Sequence, residues 1–245
     1  EQPFAITPQE TPISIEGQLL MSDLEQNTFA VYHDLLGYAG LLGGRDKFLD
    51  KVNKLFSTPP DYRTFGYNCE IHEMTEMAAY PQFGQCALSN QPSFHIPYLF
   101  SCLGNRDLSA YWVSNAVSEL FGATPDGFPG DEVTGSMGAW YVFSCLGFYP
   151  VCPGSDEYVV ASPSVSKAVI HLESGNDFII IGAEFSEDKL YASEITVNGK
   201  RLENTFINHN DIKNGGTLLF NMSGVPSEQK YTDTQLPYSL SRKLS

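Results

Sequence analysis

Basic residues are scarce in this sequence: 14 Lys and Arg stand against 29 Asp and Glu in 245 residues, giving a formal net charge of −15. This balance argues against binding to nucleic acid or to an anionic membrane surface, and it suits a neutral substrate or a cation. No apolar run approaches the ~20 residues of a membrane-spanning helix, so we expect no membrane insertion. The polar first residues show no signal peptide, from which we expect a processed or truncated N-terminus.

Cysteine is also sparse, and its spacing excludes the common zinc sites. The five cysteines contain no C-x-x-C pair, and their odd number leaves at least one free thiol or an intermolecular pair. Cys145 and Cys152 are close enough in sequence to form a disulfide across the intervening turn. Buried free thiols explain these two cysteines equally well.

Apolar residues are plentiful, at 42% of the chain, which is enough for a substantial core in one or two domains. Helical spacing of apolar residues predicts helices, joined by short turns, over residues 28–42, 46–56, 93–103, 109–121 and 135–147, with one short helix within 61–92. From about residue 157 short β-type runs alternate with turns, and Asn198-Gly199 predicts a hairpin. We expect the polar tail after Pro226 to be loose.

These patterns predict an α+β chain, with a helical portion over residues 1–153 and an antiparallel, β-rich region over residues 154–245. The Gly127–Pro153 stretch lies at the junction. Its GFPG turn presents Asp131 and Glu132 in front of an apolar run that ends at a proline. Carboxylates at the mouth of a rigid apolar element are a common way to build a catalytic or metal site. The alternative is a solvated acidic turn that caps an ordinary core helix.

Three segments carry a family resemblance: SNQPSFHIPYLF (Ser89–Phe100), GFPGDE (Gly127–Glu132) and GSMGAWYVFSCLGFYPVCPGSDEYV (Gly135–Val159). Together they resemble family 92 of the glycoside hydrolases, the calcium-dependent α-mannosidases, and YHDLLGYAGLLGG (Tyr32–Gly44) supports this more loosely. That family combines a β-sandwich domain with an (α/α)6 catalytic barrel and a strand-rich end. The resemblance implies that this chain is a fragment of a larger two-domain protein, holding the later part of the barrel.

The resemblance also implies an activity. It predicts an exo-acting, inverting α-mannosidase that removes terminal α-linked mannose from N-glycan-type glycans with the help of Ca²⁺. It implies a secreted, periplasmic or extracellular protein whose missing N-terminal β-sandwich domain would be a partner. Two alternatives remain open: a non-catalytic homologue that binds mannose, and an inactive fragment that needs the missing portion.

Residue by residue, the resemblance assigns Asn90, Gln91 and Asp131 to the calcium site, since hard oxygen ligands suit this ion. Asn90 and Gln91 are equally consistent with capping the helix that follows them. The same resemblance makes Asp131 and Glu132 catalytic acids of the loop that activates water.

Position 133 departs from the family pattern, because the general base is expected there as an aspartate and this chain has valine. Valine can neither accept a proton nor orient water. Three explanations follow: Asp131 alone serves as a less efficient base, the protein has kept sugar binding without hydrolysis, or the residue is an error or an engineered change.

The general acid is assigned to Glu16, in a Glu-Gly dipeptide that sits 17 residues ahead of His33 (33 − 16 = 17), several more than the family spacing. Glu25 is the alternative, and an exposed glutamate in a Pro-rich lead-in is the structural explanation for Glu16. Glu73, in the EIHEMTE segment, and His95 are assigned to substrate binding. For Glu73 the alternative is a solvated helix face shared with Glu76 at i, i+3 spacing, and for His95 it is a buried, hydrogen-bonded histidine.

Overall fold

A computed structural model describes residues 28–60 and 72–244 of the chain. Within them six α-helices come first and the strands follow, with two further short helices among and after the strands; the change falls at Gly147, a residue in the left-handed conformation (φ 89°). The fold is therefore of the α+β class, as the sequence predicts. None of the helices in these residues has the length and hydropathy needed to cross a membrane.

The helices of the first part are short and joined by tight turns. They are α1 (Leu35–Leu42), α2 (Arg45–Ser57), α3 (His72–Ala79), α4 (Leu99–Cys102), α5 (Arg106–Glu119) and α6 (Ser136–Leu146). α1 and α2 form an αα-hairpin, with the predicted short turn at Gly43 and Gly44, both of which have positive φ. The helix predicted over 28–42 begins only at Leu35, because the Asp34 side chain caps it by accepting the Gly37 N–H.

The helix predicted over 93–103 is not continuous. Two 3₁₀ turns, Gln91–Ser93 and Ile96–Tyr98, precede the single α-helical turn of α4. Each of these 3₁₀ turns has a proline, Pro92 or Pro97, at its start. Proline has no backbone N–H and fixes φ, so it is tolerated at the beginning of a helical turn and interrupts a longer one.

The strands in the described part of the chain form two sheets. They are β1 (Phe148–Tyr149), β2 (Glu157–Val160), β3 (Lys167–His171), β4 (Asp177–Ala183), β5 (Tyr191–Val197), β6 (Lys200–Arg201), β7 (Phe206–Asn208) and β8 (Gly216–Ser223). One sheet has the order β1-β2-β7 and the other β3-β4-β8-β5-β6. β4 and β8 run parallel, with Phe178 opposite Gly216, so the expectation of a purely antiparallel region is wrong for this pair. The Asn198-Gly199 hairpin is confirmed by the pairing of Val197 with Lys200.

Among residues 28–60 and 72–244 the buried apolar side chains fall into two clusters. The first lies among the helices, around Phe48, Tyr98 and Trp140, and the second packs the strands on the end of α6. Strand β2 borders both, because Val159 belongs to the first cluster and its neighbour Val160 belongs to the second. Successive side chains of a strand point to opposite faces, which lets one strand serve two cores.

The tail after Pro226 is packed rather than loose, so that expectation is wrong. Tyr231 and Leu236 are buried, and the tail contains the 3₁₀ turn Asp233–Gln235 and the short helix α8 (Leu240–Leu244). The remaining short helix, α7 (His209–Ile212), lies earlier, between β7 and β8. The Asp34 carboxylate accepts hydrogen bonds from Ser239 and Ser241 of the tail. These hydrogen bonds hold the C-terminal end of the described residues against the start of α1.

The disulfide considered between Cys145 and Cys152 is not formed, and Cys86 and Cys102 are also free thiols. The domain boundary at residues 153/154 and the (α/α)6 barrel stay predictions.

Candidate functional site

Three segments that are distant in sequence meet at the start of α3. Nε2 of His72 lies 3.0 Å from an Asp131 carboxylate oxygen, in the loop that precedes α6. The next residue, Glu73, accepts a hydrogen bond from the Asn90 side-chain N–H at 3.1 Å. The structure thus brings together the Asp131 loop, the Asn90 segment and the first turn of α3.

The Asp131 loop also touches the Asn90 segment through its backbone. A Cβ added to Gly130 would lie 2.3 Å from the Ser89 carbonyl oxygen, so only glycine allows this approach. Because Gly130 precedes Asp131 and Ser89 precedes Asn90, the contact sets the two candidate side chains on neighbouring segments. The GFPG turn is therefore a packed element and not a free surface loop.

α6 fixes the far end of the same loop. The Val133 carbonyl accepts hydrogen bonds from the Ser136 N–H at 3.0 Å and the Ser136 hydroxyl at 2.6 Å. Thr134 and Gly135 are both in the left-handed region, with φ 52° and 80°, which turns the chain into the helix. The helix itself is anchored by the buried Trp140, whose indole N–H donates to the Phe94 carbonyl at 2.8 Å.

Asp131 and Glu132 have different surroundings, although they are adjacent. The Asp131 side chain is 76% exposed and pairs with His72, so it can meet a solute. The Glu132 carboxylate accepts the backbone N–H groups of Met137 and Gly138 at 3.1 and 2.7 Å, and it therefore caps the N-terminus of α6. The catalytic assignments of both residues stay predictions.

Val133 lies at the surface of this loop, with 46% of the residue exposed. The position at which the sequence comparison expects a general base is therefore open to solvent. It lies two residues after Asp131 and immediately before the turn into α6.

Glu73 and Glu76 are both buried, at 1% and 3% exposure, so the alternative of a plain solvated helix face is wrong for α3. Glu76 accepts the backbone N–H groups of Leu88 and Ser89 at 2.8 and 2.5 Å. Burial raises the pKa of Glu76, these hydrogen bonds lower it, and the neighbouring Glu73 charge raises it, with the result at about 7. Glu73 was singled out from the sequence, whereas the role of Glu76 in holding the Asn90 segment was not.

His95 is almost completely buried, and its Nε2 lies 2.9 Å from the Phe29 carbonyl oxygen. Burial lowers its pKa to about 4, against hydrogen bonds to the backbone that raise it, so the imidazole is neutral near pH 7. Its ring also packs edge-on against Tyr32. These contacts match the buried, hydrogen-bonded alternative, and sugar binding by His95 stays a prediction.

Asn90 caps the 3₁₀ turn that follows it, as the alternative assignment predicts, because its side-chain oxygen accepts the Gln91 N–H at the start of that turn. The Gln91 side-chain nitrogen is buried without a hydrogen-bond partner among the described residues. The Asp131 carboxylate and the side-chain amide oxygens of Asn90 and Gln91 are of the type that calcium binds. In residues 28–60 and 72–244 no three His, Cys, Asp or Glu side chains converge on one point, so a calcium ion here would need the amide oxygens as well.

The candidate general acids, Glu16 and Glu25, lie outside the described residues. Besides Glu76, two residues at the site were not assigned from sequence. His72 could have been found from its position beside Glu73, and Gly130 from its place in the GFPG turn.

Comparison with known proteins supplies the context for this site. The model of the glycosyl hydrolase family 92 catalytic domain matches residues 5–224. A protein of Arthroderma benhamiae, named an uncharacterized secreted glycosidase, is 27% identical over 222 residues, which are 89% of this chain and 26% of that protein.

Two solved structures from Bacteroides thetaiotaomicron are also similar. A family GH92 α-mannosidase in complex with mannoimidazole is 28% identical, with a TM-score of 0.82 over 98% of this chain and 31% of that one. A family GH92 inverting mannosidase is 34% identical, with a TM-score of 0.77 over 91% of this chain and 30% of that one. The chain therefore spans about a third or less of the length of these relatives.

Proposed function

Because the chain belongs to glycosyl hydrolase family 92, we propose that it acts in the hydrolysis of terminal α-linked mannose from glycans, as an exo-acting, inverting α-mannosidase. The observation that carries the proposal is the family match over residues 5–224, together with solved relatives that are mannosidases. The substrate class is mannose-containing glycans of the N-glycan type. The named secreted relative supports an extracellular or periplasmic location.

An inverting glycosidase uses one carboxylic acid to protonate the leaving oxygen and one carboxylate to activate water, with a gap of ~6.5–9.5 Å between them. In this proposal Asp131 accepts the proton of the attacking water, because its carboxylate is exposed at the site. His72, 3.0 Å away, orients that carboxylate. Glu16 is the proposed proton donor.

A calcium ion would be held by Asp131, Asn90 and Gln91, whose side chains carry the hard oxygen atoms that this ion prefers. When bound, it would bind the vicinal hydroxyls of mannose. Asn90 is oriented for this task from two sides, since its oxygen accepts the Gln91 N–H and its N–H donates to Glu73. Glu73 is the proposed contact for the sugar next to this amide.

Val133 favours a second candidate function. A loop with valine at the base position can still bind mannose through Asp131, Asn90 and Gln91 without efficient hydrolysis. The short span relative to the relatives supports a further version of the proposal, in which activity requires a β-sandwich portion supplied from outside this chain.

The test is release of mannose from an aryl α-mannoside, with and without a calcium chelator, in the protein and in the Asp131→Asn variant. We expect the chelator and the variant each to abolish the release. Release that survives the chelator would remove calcium from the proposal, and release that survives the variant would remove Asp131. Mannose binding without release, measured by calorimetry, would favour the binding protein, and release only after a β-sandwich portion is added would favour the third version.

A further inference from the structure

Glu76 is a buried carboxylate that the proposed reaction does not use. It lies on α3 three residues after Glu73 and is 3% exposed. Both of its oxygen atoms are engaged, one by the Leu88 N–H and the other by the Ser89 N–H. Its two partners are 12 and 13 residues away in sequence, on a different segment.

The geometry points to Glu76 as a positioning residue, which holds the Ser89–Gln91 segment, and through it the Asp131 loop, in place for substrate and cation. This inference rests on the proposed function of the same site. The physical basis is that Glu76 accepts two backbone N–H groups, and in its ionised form these hydrogen bonds are charge-assisted and roughly twice as strong as neutral ones. A segment held in this way has one backbone orientation.

The effect of the anchor extends beyond the two hydrogen bonds. Ser89, whose N–H binds Glu76, also presents its carbonyl oxygen to Gly130 at a distance that no side chain would allow. The residue after Ser89 is Asn90, and the residue after Gly130 is Asp131. One buried carboxylate therefore sets the position of both candidate ligand segments.

The same helix makes a second, parallel contact. Glu73 accepts the Asn90 side-chain N–H, so α3 binds the segment at its backbone through Glu76 and at a side chain through Glu73. Groups that orient the residues of a metal or sugar site typically change affinity or activity tenfold to a hundredfold when they are altered. We expect changes of about this size from Glu76.

The decisive variant is Glu76→Gln, which keeps the size of the side chain. An amide has one acceptor oxygen and an N–H₂ group, so one of the two backbone N–H groups would face a donor. We expect hydrogen exchange at the amides of Leu88 and Ser89 to become faster, while exchange in α5 is unchanged. We expect kcat for an aryl α-mannoside to fall roughly tenfold to a hundredfold, and calcium affinity, measured by calorimetry, to fall by a similar factor.

Glu119→Gln is the matched control. Glu119 is exposed, lies at the end of α5 and binds only the Gln82 side chain among the described residues. The same chemical change there should leave exchange at residues 88–91, kcat and calcium affinity as in the original protein.

Gly130→Ala tests the second link without altering α3, since the added Cβ meets the Ser89 carbonyl oxygen. It should lower kcat and calcium affinity while Glu76 remains in place, and it serves if Glu76→Gln does not fold. A fall in thermal stability with unchanged kcat and unchanged calcium affinity per folded molecule would make Glu76 purely structural and overturn the inference.

Unchanged exchange at Leu88 and Ser89 in Glu76→Gln would also overturn it, since the anchor would then not exist. If the original protein neither releases nor binds mannose, the proposed function fails. Hydrogen exchange and calcium titration still decide the inference in that case, because neither depends on turnover.

Discussion

Under the proposed function, replacement of Val133 by aspartate should increase the release of mannose from an aryl α-mannoside. Val133 is 46% exposed and lies in the loop that carries Asp131. The contacts it makes to the turn before α6 come from its backbone carbonyl, which accepts from Ser136. These hydrogen bonds do not depend on the side chain, so Val133→Asp leaves the turn intact and adds a carboxylate at the surface.

The size of the effect follows from the role that the added group would take. A positioned proton-transfer group contributes typically ~10²–10⁴ in rate, which corresponds to about 2.7–5.4 kcal/mol of activation free energy. The expected change in folding stability is much smaller. A carboxylate near the N-terminus of α6 gains about 0.3–1 kcal/mol, and repulsion from Asp131 and Glu132 opposes this gain.

The assay compares kcat/KM for an aryl α-mannoside in the original protein, in Val133→Asp and in Val133→Asn. Asparagine has nearly the size of aspartate and is polar, but it is uncharged and cannot accept the proton. Only the kcat/KM of Val133→Asp should therefore rise, by about 10²–10⁴-fold. Equal activity in all three proteins would refute the role assigned to this position. A rise shared by the two variants would show that polarity, and not proton transfer, limits the rate.

Two further predictions concern stability. Asp34→Ala removes the cap of α1 and the acceptor for Ser239 and Ser241, so it should cost about 1–2 kcal/mol at pH 7 by urea denaturation. Burial raises the pKa of Asp34, but hydrogen bonds from Ser239, Ser241 and Gly37 outweigh it and lower the pKa from 3.8 to about 2. Because the folded-state pKa is lowered, the Asp34 carboxylate contributes stability above about pH 4, and this contribution is lost as the pH falls towards 2. The difference in free energy of unfolding between the variant and the original protein should therefore be smaller at pH 3 than at pH 7. An equal difference at both pH values would contradict this account. Trp140→Phe removes the donor to the Phe94 carbonyl and leaves a cavity in a fully buried site, so the free energy of unfolding should fall by about 2–4 kcal/mol. Val142→Ala, on the exposed side of the same helix, should change it by about 0.5 kcal/mol or less. Similar losses in the two variants would show that Trp140 is not a core anchor.

The sequence predicted correctly those helices and turns that depend only on residues close together in the chain. α2 and α6 follow the spacing of their own apolar residues, and the hairpin at Asn198-Gly199 follows from a turn in which both residues have positive φ. The continuous helix expected over 93–103 failed where Pro97 lacks an N–H. The packing of the tail could not be predicted, because its acceptor, Asp34, lies about 200 residues away in sequence.

At the candidate site, too, the sequence indicates some residues and gives no sign of others whose contacts are distant in sequence. Asn90, Gln91 and Asp131 are assigned to the site through the family resemblance, which is carried by side-chain identity. Glu76 acts on the backbone N–H groups of Leu88 and Ser89, and any residue except proline has such a group. The identities of its partners therefore give no sign of the contact, and only the i, i+3 spacing with Glu73 placed both acids on one face of a helix.

Strand β2 has a consequence for how the molecule unfolds. Val159 and Val160 occupy different cores, so removal of this strand from either one opens the other at the same time. The free energies of unfolding of the helical and the strand-rich parts are thus coupled through these two adjacent residues. Heat or denaturant should therefore disrupt both parts in one cooperative transition, with the fluorescence of the two tryptophans, which lie in α5 and α6, and the amide hydrogen exchange of strands β4 and β8 changing at the same midpoint.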